Sequence, residues 1–352
     1  MLVLALNPGS TSTKVGLFED DRVLFLETVN HNHDEVQKFG SIGAQKEFRL
    51  GVIREKLKDV DVGKIDGVVA IGGLLPPVQA GGYKVNEKMV RMLTEETDGV
   101  SPHASNLGAI LADILAKEAG CEAFIYDAVS AGILPEVARI TGFPEIVRRS
   151  LSHVLNSRAQ AIEYAKKIGK KFEELNVIIA HLGGGVSLSV YKKGVLMDSV
   201  GDDLGPFSSE RSGVVPLFDF LDFAFADEKR GKKELQRRIR GGGGLKAHLG
   251  SADLREIEAN IETGDTKAEL IVDAMCYNVA KAIASLAVAV HGNCNVIILT
   301  GGMMNSKRVA SGVRERVEFI APVEVMAGEY ELEALVGGCV RILNGEERAL
   351  EF

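Results

Sequence analysis

Apolar residues run unbroken from Leu2 to Leu6, give way to a polar turn, and resume at Val15, Leu17 and Phe18. Short apolar runs bounded by turn residues predict strands, so the chain starts as strand, loop, strand, and Asp20-Asp21 turns it into a third strand over 22–29. Positions 34–58 then carry Val36, Phe39, Ile53 and Leu57 on the apolar side of a helix that Gly40-Ser41 is placed to break. A buried strand over 66–71 ends at Ile71 in Gly72-Gly73. A helix is predicted over 85–97, and a longer one over 101–120 opens with Ser101-Pro102 and has His103 near its start. A strand over 123–126 exits at Asp127, and a helix from Ile133 ends near Gly142-Phe143-Pro144.

The pattern then repeats. After a helix over 150–168 with His153 in its first turn, the stretch NVIIAHLGGGVSLSVYKKGVLMDSV from Asn176 reads as strand, glycine-rich turn, strand, turn, strand. Both copies reach a hydrogen-bonding residue, Asn7 or His181, before a flexible turn, which predicts two versions of one phosphate-handling unit. At 352 residues the chain is also too long for one ordinary core. The predicted boundary is at 150, with a second domain over 151–329. A long polar loop over 201–216 carries Arg211. Helices follow from 217 to 290, interrupted by the Gly241 to Gly244 run and by Gly250-Ser251. The last long one has Leu270, Ala274, Tyr277, Ala280, Ile283 and Leu286 as its core stripe. A strand over 295–300 ends in Gly301-Gly302, and a final helix runs over 330–343. Strand followed by paired glycines thus recurs three times, and such glycines suit the lining of a single cleft.

Composition narrows the classes. Hydrophobic residues make up 46% and charged residues 26%, as in a globular protein, and the net charge is −8 with no Trp and no basic tract, which argues against nucleic acid as a partner. No apolar run of membrane-spanning length and no leader are expected, so the reading is a cytoplasmic chain without a membrane role. Cys121, Cys276, Cys294 and Cys339 lack metal-site spacing and read as reduced core residues.

The turn NPGSTSTK carries the first candidate chemistry. Small residues let the backbone approach a bulky anion, Asn7, Ser10, Thr11, Ser12 and Thr13 offer donors, and Lys14 a mobile positive charge. A Walker loop must lead into a helix, whereas this one leads into a strand, and GxxxxGK[ST] is absent because Thr13 precedes Lys14. By itself the stretch supports two readings, a polar hairpin turn and a phosphate cradle.

Together, NPGSTSTK, HLGGG followed by a hairpin, GPFSSERSG and ILTGGMMNSK resemble the acetate kinase and butyrate kinase family of the actin, Hsp70 and sugar kinase superfamily. VNEKM at 85–89, HASNLGA at 103–109 and GEYELEAL at 328–335 fit it too, and the version is most like its butyrate kinase members. The resemblance covers essentially the whole chain. It implies an α/β fold of two duplicated ribonuclease-H-like, actin-like ATPase domains with a ligand cleft between them, the C-terminal helix returning to the first domain. It implies reversible transfer of the ATP γ-phosphoryl, with Mg²⁺, to butanoate or a similar short or branched carboxylate, giving an acyl phosphate and ADP, and a homo-oligomer, dimer or higher, formed through the second domain. It places Asn7, Ser10, Ser12 and Lys14 in a first phosphate loop and Gly183, Gly184 and Gly185 in a second. Gly301 and Gly302 would hold adenosine. Asp127, His153, His181 and Arg211 would be catalytic, Asn7 and Glu331 would serve the metal, with Glu329 and Glu333 as alternatives to the latter, and His103 and position 71 would face the acid substrate.

Each of these also has a plain structural reading: His153 as a surface histidine at a helix start, His181 as a strand-end residue, Arg211 as a loop charge, Asp127 as a cap. The chain also departs from the family pattern. Ile71 stands where an arginine is usual, and YDAVSAGI replaces a proline and acidic residues after Asp127. Losing a planar fork and a permanent charge together predicts altered acid specificity or weak activity. A nucleotide-binding paralogue with impaired chemistry, or a kinase for another short carboxylate, is therefore the alternative reading.

Overall fold

The structure, a computed structural model, describes residues 1–32, 36, 38–97, 100, 102–150, 152–201, 204–227, 231–328 and 330–352. Asp34, Ser101 and Glu329 lie outside them. Backbone contacts divide the chain into two units: Met1–Ile133 with Val154–Asn156 and Tyr330–Phe352, and Leu134–His153 with Ser157–Glu329. The first break falls at 133, earlier than the position 150 read from the sequence.

The first unit is built on six strands: β1 (Leu2–Pro8), β2 (Ser12–Glu19), β3 (Arg22–Asn30), β4 (Gly67–Ile71), β5 (Gly82–Lys84) and β6 (Glu122–Tyr126), in the order β3-β2-β1-β4-β6-β5. β1, β4 and β6 run parallel, while β2 pairs antiparallel with β1 and β3 antiparallel with β2. The parallel strands are nearly all apolar because both faces are covered. The C-terminal helix Glu331–Leu343 belongs to this unit and buries Leu332, Leu335, Val336 and Cys339 on the sheet. Two glycines make that contact possible: a Cβ at Gly338 would enter the Tyr126 ring, and one at Gly67 would press on Cys339 and Leu343.

The second unit has β7 (Asn176–Leu182), β8 (Val186–Lys192), β9 (Val195–Val200), β10 (Val296–Gly301) and β11 (Val323–Ala327), in the order β11-β10-β7-β8-β9. With β5 set aside, the two orders and strand directions coincide, β7 standing for β1, β8 for β2, β9 for β3, β10 for β4 and β11 for β6. Even the irregularity repeats: each hairpin slips register near its turn, between Leu17 and Phe18 and between Val190 and Tyr191. The chain therefore has the duplicated ribonuclease-H-like, actin-like ATPase fold.

Three local expectations are corrected. The helix expected from Ile133 is a single turn, Glu136–Arg139, because Pro135 and Pro144 close in on it from both sides, and Val137, Ile140 and Phe143 are exposed. On the helix Thr266–Leu286, Leu270 and Tyr277 are 66% and 53% exposed, whereas Val272, Met275, Val279, Ile283 and Leu286 fill the core. Leu270 lies roughly 200° around the helix from Val272, so one stripe cannot hold both. Continued to Val290, that helix is long and apolar enough to cross a membrane, contrary to the sequence expectation, yet its apolar stripe is packed in the core of this unit. Cys276 and Cys339 are buried, their thiols pushed up to about 11 and about 12 by desolvation, while Cys121 and Cys294 are only partly buried.

Candidate active site

In the first unit the candidate residues gather at the C-terminal ends of β1, β4 and β6. Asn7 and Lys14 face each other in register across β1 and β2. Both donate to one oxygen, Oε2 of Glu331, from Asn7 Nδ2 at 2.8 Å and Lys14 Nζ at 2.7 Å. Glu331 opens the C-terminal helix, where a carboxylate also favours the helix dipole. Glu331 thus meets both loop residues, while Glu329 lies outside the described residues. Between Asn7 and Lys14 the chain turns tightly, the Gly9 amide donating to the Ser12 carbonyl at 2.9 Å, with Ser10 exposed and Ser12 half-buried. The loop joins two strands and no helix follows it.

Sequence reading missed the group behind that loop. Arg49 is 0% exposed, and its guanidinium donates to the Ser12 carbonyl at 2.5 Å, Thr13 Oγ1 at 2.8 Å and the Gly9 carbonyl at 3.0 Å. Desolvation lowers its pKa to about 10, which leaves it charged at neutral pH.

Asp127 follows β6 with φ of 42°, in the left-handed region that Asp tolerates better than most residues. Its Oδ1 accepts from the Gly81 amide at 2.8 Å and its own amide donates to the Gly81 carbonyl at 3.0 Å, so the carboxylate is locked and 2% exposed. Ile71 ends β4, half-buried and paired in register with Tyr126 beside Asp127. Gly72 and Gly73 are needed because Ala128 and Asn106 pack directly on their backbone. His103 lies before the helix Asn106–Ala119, later in starting than expected, and its Nδ1 sits 2.6 Å from Ser105 Oγ and accepts from the Ser105 amide at 3.2 Å. It sits on a different element from the β1, β4 and β6 ends.

In the second unit His153 is the residue just before the helix Val154–Lys167 rather than within its first turn. Its ring stacks on that of buried His181, at the end of β7, with centroids 4.2 Å apart and planes at 27°. Ser187 faces His181 in register on β8 and holds His153 twice, its Oγ accepting the His153 amide at 3.2 Å and lying 2.7 Å from Nδ1. The turn Gly183 to Gly185 is tied to the loop carrying Arg211: Ser208 Oγ donates to the Gly184 carbonyl at 2.7 Å, and the Arg211 amide donates to Ser208 Oγ at 3.1 Å. The glycine run has its role here, for a Cβ at Gly243 or Gly244 would strike the Ser208 to Ser212 backbone. Gly183, Gly184, Ser209, Asp253 and Arg255, with the short helical turn Gly302–Asn305, line an open cavity of about 720 Å³ in this unit. Gly301 takes φ of 96°, and a Cβ there would meet the Leu182 backbone. The Asp253 to Glu258 wall was not foreseen; its signal was the polar SADLRE after Gly250.

Residues 145–331 match the model of the Acetokinase family. The chain is 42% identical to butyrate kinase 1 of Clostridium acetobutylicum, the likeness covering 99% of each chain. It is 43% identical to a probable butyrate kinase of Listeria monocytogenes, again over 99% of each. Among solved structures it resembles Porphyromonas gingivalis acetate kinase at a TM-score of 0.77 and 19% identity, covering 97% of this chain and 99% of that one.

Proposed function

The chain belongs to the acetokinase family, and we propose that it is a butyrate kinase, moving the γ-phosphoryl of ATP reversibly to butanoate or a similar short carboxylate. The observation that carries this reading is the likeness over 99% of the chain to proteins named as butyrate kinases. In the reaction a carboxylate oxygen attacks the γ-phosphorus, the bond from that phosphorus to the β,γ-bridging oxygen breaks, and ADP leaves with the electron pair. The acceptor is already ionised at pH 7, so no general base is required. What remains is positioning and neutralisation of anionic charge.

The proposed roles are those that the family resemblance implies, and the side-chain chemistry suits them. In the first unit Lys14 and the 7–14 turn are suited to phosphate oxygens and Asp127 is the acidic residue at the end of β6; in the second, Gly183 to Gly185 are suited to phosphate oxygens and Arg211, His153 and His181 to charge on the transferred group. A cavity of about 720 Å³ reached by Gly302 has the capacity for adenosine. For Mg²⁺ the hard oxygens of Asn7 and Glu331 are the right donors. Among the described residues no three His, Cys, Asp or Glu could cage a metal alone, which suits an ion that arrives with nucleotide phosphates and keeps most of its water. When bound, the ion would supply positive charge to the phosphates and help orient them.

We also read the protein as a cytoplasmic homo-oligomer. The helix Leu217–Phe225 buries none of its residues, and Phe218 and Phe225 are 85% and 80% exposed, an apolar face of the kind that a second copy covers. The test of function is to trap acyl phosphate as hydroxamate with ATP, Mg²⁺ and a panel of short acids. Product with a four-carbon acid is expected. Nucleotide binding without product from any acid would favour the impaired paralogue, to which Ile71 points.

A further inference from the structure

Arg49 sits in the helix Lys46–Lys56, in a sequence, KEFRLGVIREK, that looks like charged surface. The fold turns its Arg49, Leu50 and Ile53 face inward instead. Besides the bonds already described, its Nη2 donates to the Ser10 carbonyl at 3.4 Å and to Gln45 Oε1 at 2.9 Å. Every acceptor is neutral. Among the described residues no carboxylate pairs with the guanidinium, and a buried ion without a counter-charge is strongly unfavourable.

The carbonyls around it form a consistent set. Those of Gly9, Ser10 and Ser12 accept from Arg49, and that of Thr11 accepts from the His31 amide at 2.8 Å. All peptides here are trans, so each N–H points opposite to its carbonyl. The amides of Ser10 and Thr11 therefore face away from Arg49, and that of Ser12 faces away from the His31 amide. A run of such amides backed by a positive charge is an anion-binding concavity. Thr13 extends the brace, its Oγ1 accepting from Arg49 and lying 2.8 Å from His31 Nε2.

We propose that Arg49 is a positioning residue for nucleotide phosphate: it fixes the 9–12 carbonyls inward so that the turn's amides meet the phosphate, whose charge completes its own. This rests on the reading of residues 7–14 as a phosphate loop. It ties ligand binding to loop order, since among the described residues no carboxylate offsets the cation behind the loop.

The test compares Arg49→Lys with Lys14→Ala in the full chain, by KM for ATP, KM for butanoate, kcat, and the rise in Tm that Mg·ATP produces. Lysine keeps the charge but cannot hold the carbonyls of Gly9 and Ser12 together. KM for ATP should rise roughly tenfold or more and the ATP-induced Tm rise should shrink, with KM for butanoate within about twofold of wild type. A fall in the Tm of the free protein with both KM values and the ATP-induced rise unchanged would overturn the proposal. Should Arg49→Lys not fold, Gln45→Met removes one restraint and keeps the guanidinium; a rise of about twofold in KM for ATP alone is then expected, and no change contradicts the proposal. Lys14→Ala separates the two levels: if it leaves ATP handling untouched, the loop assignment itself fails, whereas a defect there with none at Arg49 overturns only the inference.

Discussion

The two loops proposed to hold phosphate sit at the same place in the same topology, yet they are braced by opposite chemistry. The 7–14 turn, between β1 and β2, is held from behind by a permanent cation and capped by the Asn7, Lys14 and Glu331 cluster. The 183–185 turn, between β7 and β8, is held by the neutral hydroxyls of Ser208 and Ser209 and flanked by the stacked rings of His153 and His181. Duplication fixed where each loop stands, and the side chains behind it then diverged. The first loop is backed by a guanidinium that stays charged at physiological pH, while the second is bordered by two stacked imidazole rings. The first is suited to hold phosphate that stays in place, the second to stabilise the group that moves.

The largest effect expected from breaking this contrast is at Arg211. Arg211→Ala should lower kcat by about 10³-fold or more, as for arginines that stabilise phosphoryl transfer, with a much smaller change in KM for ATP. A loss under tenfold would remove Arg211 from the reacting group. Next is the cluster on the other loop: Glu331→Gln should raise the Mg²⁺ concentration needed for half-maximal rate by roughly 10–100-fold, read from Mg²⁺ titrations of activity. An unchanged requirement would mean that Glu331 serves only to hold Asn7 and Lys14.

Ser187→Ala frees His153 on one side. A drop of about tenfold in kcat is expected, with the pH dependence of kcat shifted while Tm changes little; a lower Tm with an unaltered pH profile would make Ser187 a structural residue. The smallest change is Ile71→Arg, which restores a planar cation beside Asp127. It should shift the order of preference among acids of different chain length by a few-fold in kcat/KM. Identical parameters for every acid would show that position 71 does not meet the substrate.

Local features of this arrangement were legible in the sequence. The Asn7 and Lys14 pairing follows from a short hairpin, and the repeat at 176–200 shows in the alternation of apolar runs and turns. The braces were not, because they are non-local. Arg49 reaches the loop from 37 residues away, and Ser187 meets His153 across 34. Nothing in KEFRLGVIREK marks one of its four basic residues as buried, since only tertiary packing decides which face turns inward. The stripe expected on Thr266–Leu286 holds at Ala280, Ile283 and Leu286 and fails at Leu270 and Tyr277 for a related reason: an apolar helix offers several stripes, and those two lie on one that the core does not use. Ile71 stands out only against the family pattern, for an isoleucine ending a buried strand is otherwise unremarked.

The central claim is that a carboxylate and ADP exchange one phosphoryl group directly. Phosphorus NMR of the enzyme with ADP, Mg²⁺ and butanoyl phosphate tests it most simply. The acyl phosphate signal should fall as the γ-phosphorus signal of ATP grows in equal amount, with no added inorganic phosphate. Inorganic phosphate accumulating while ADP stays constant would contradict it.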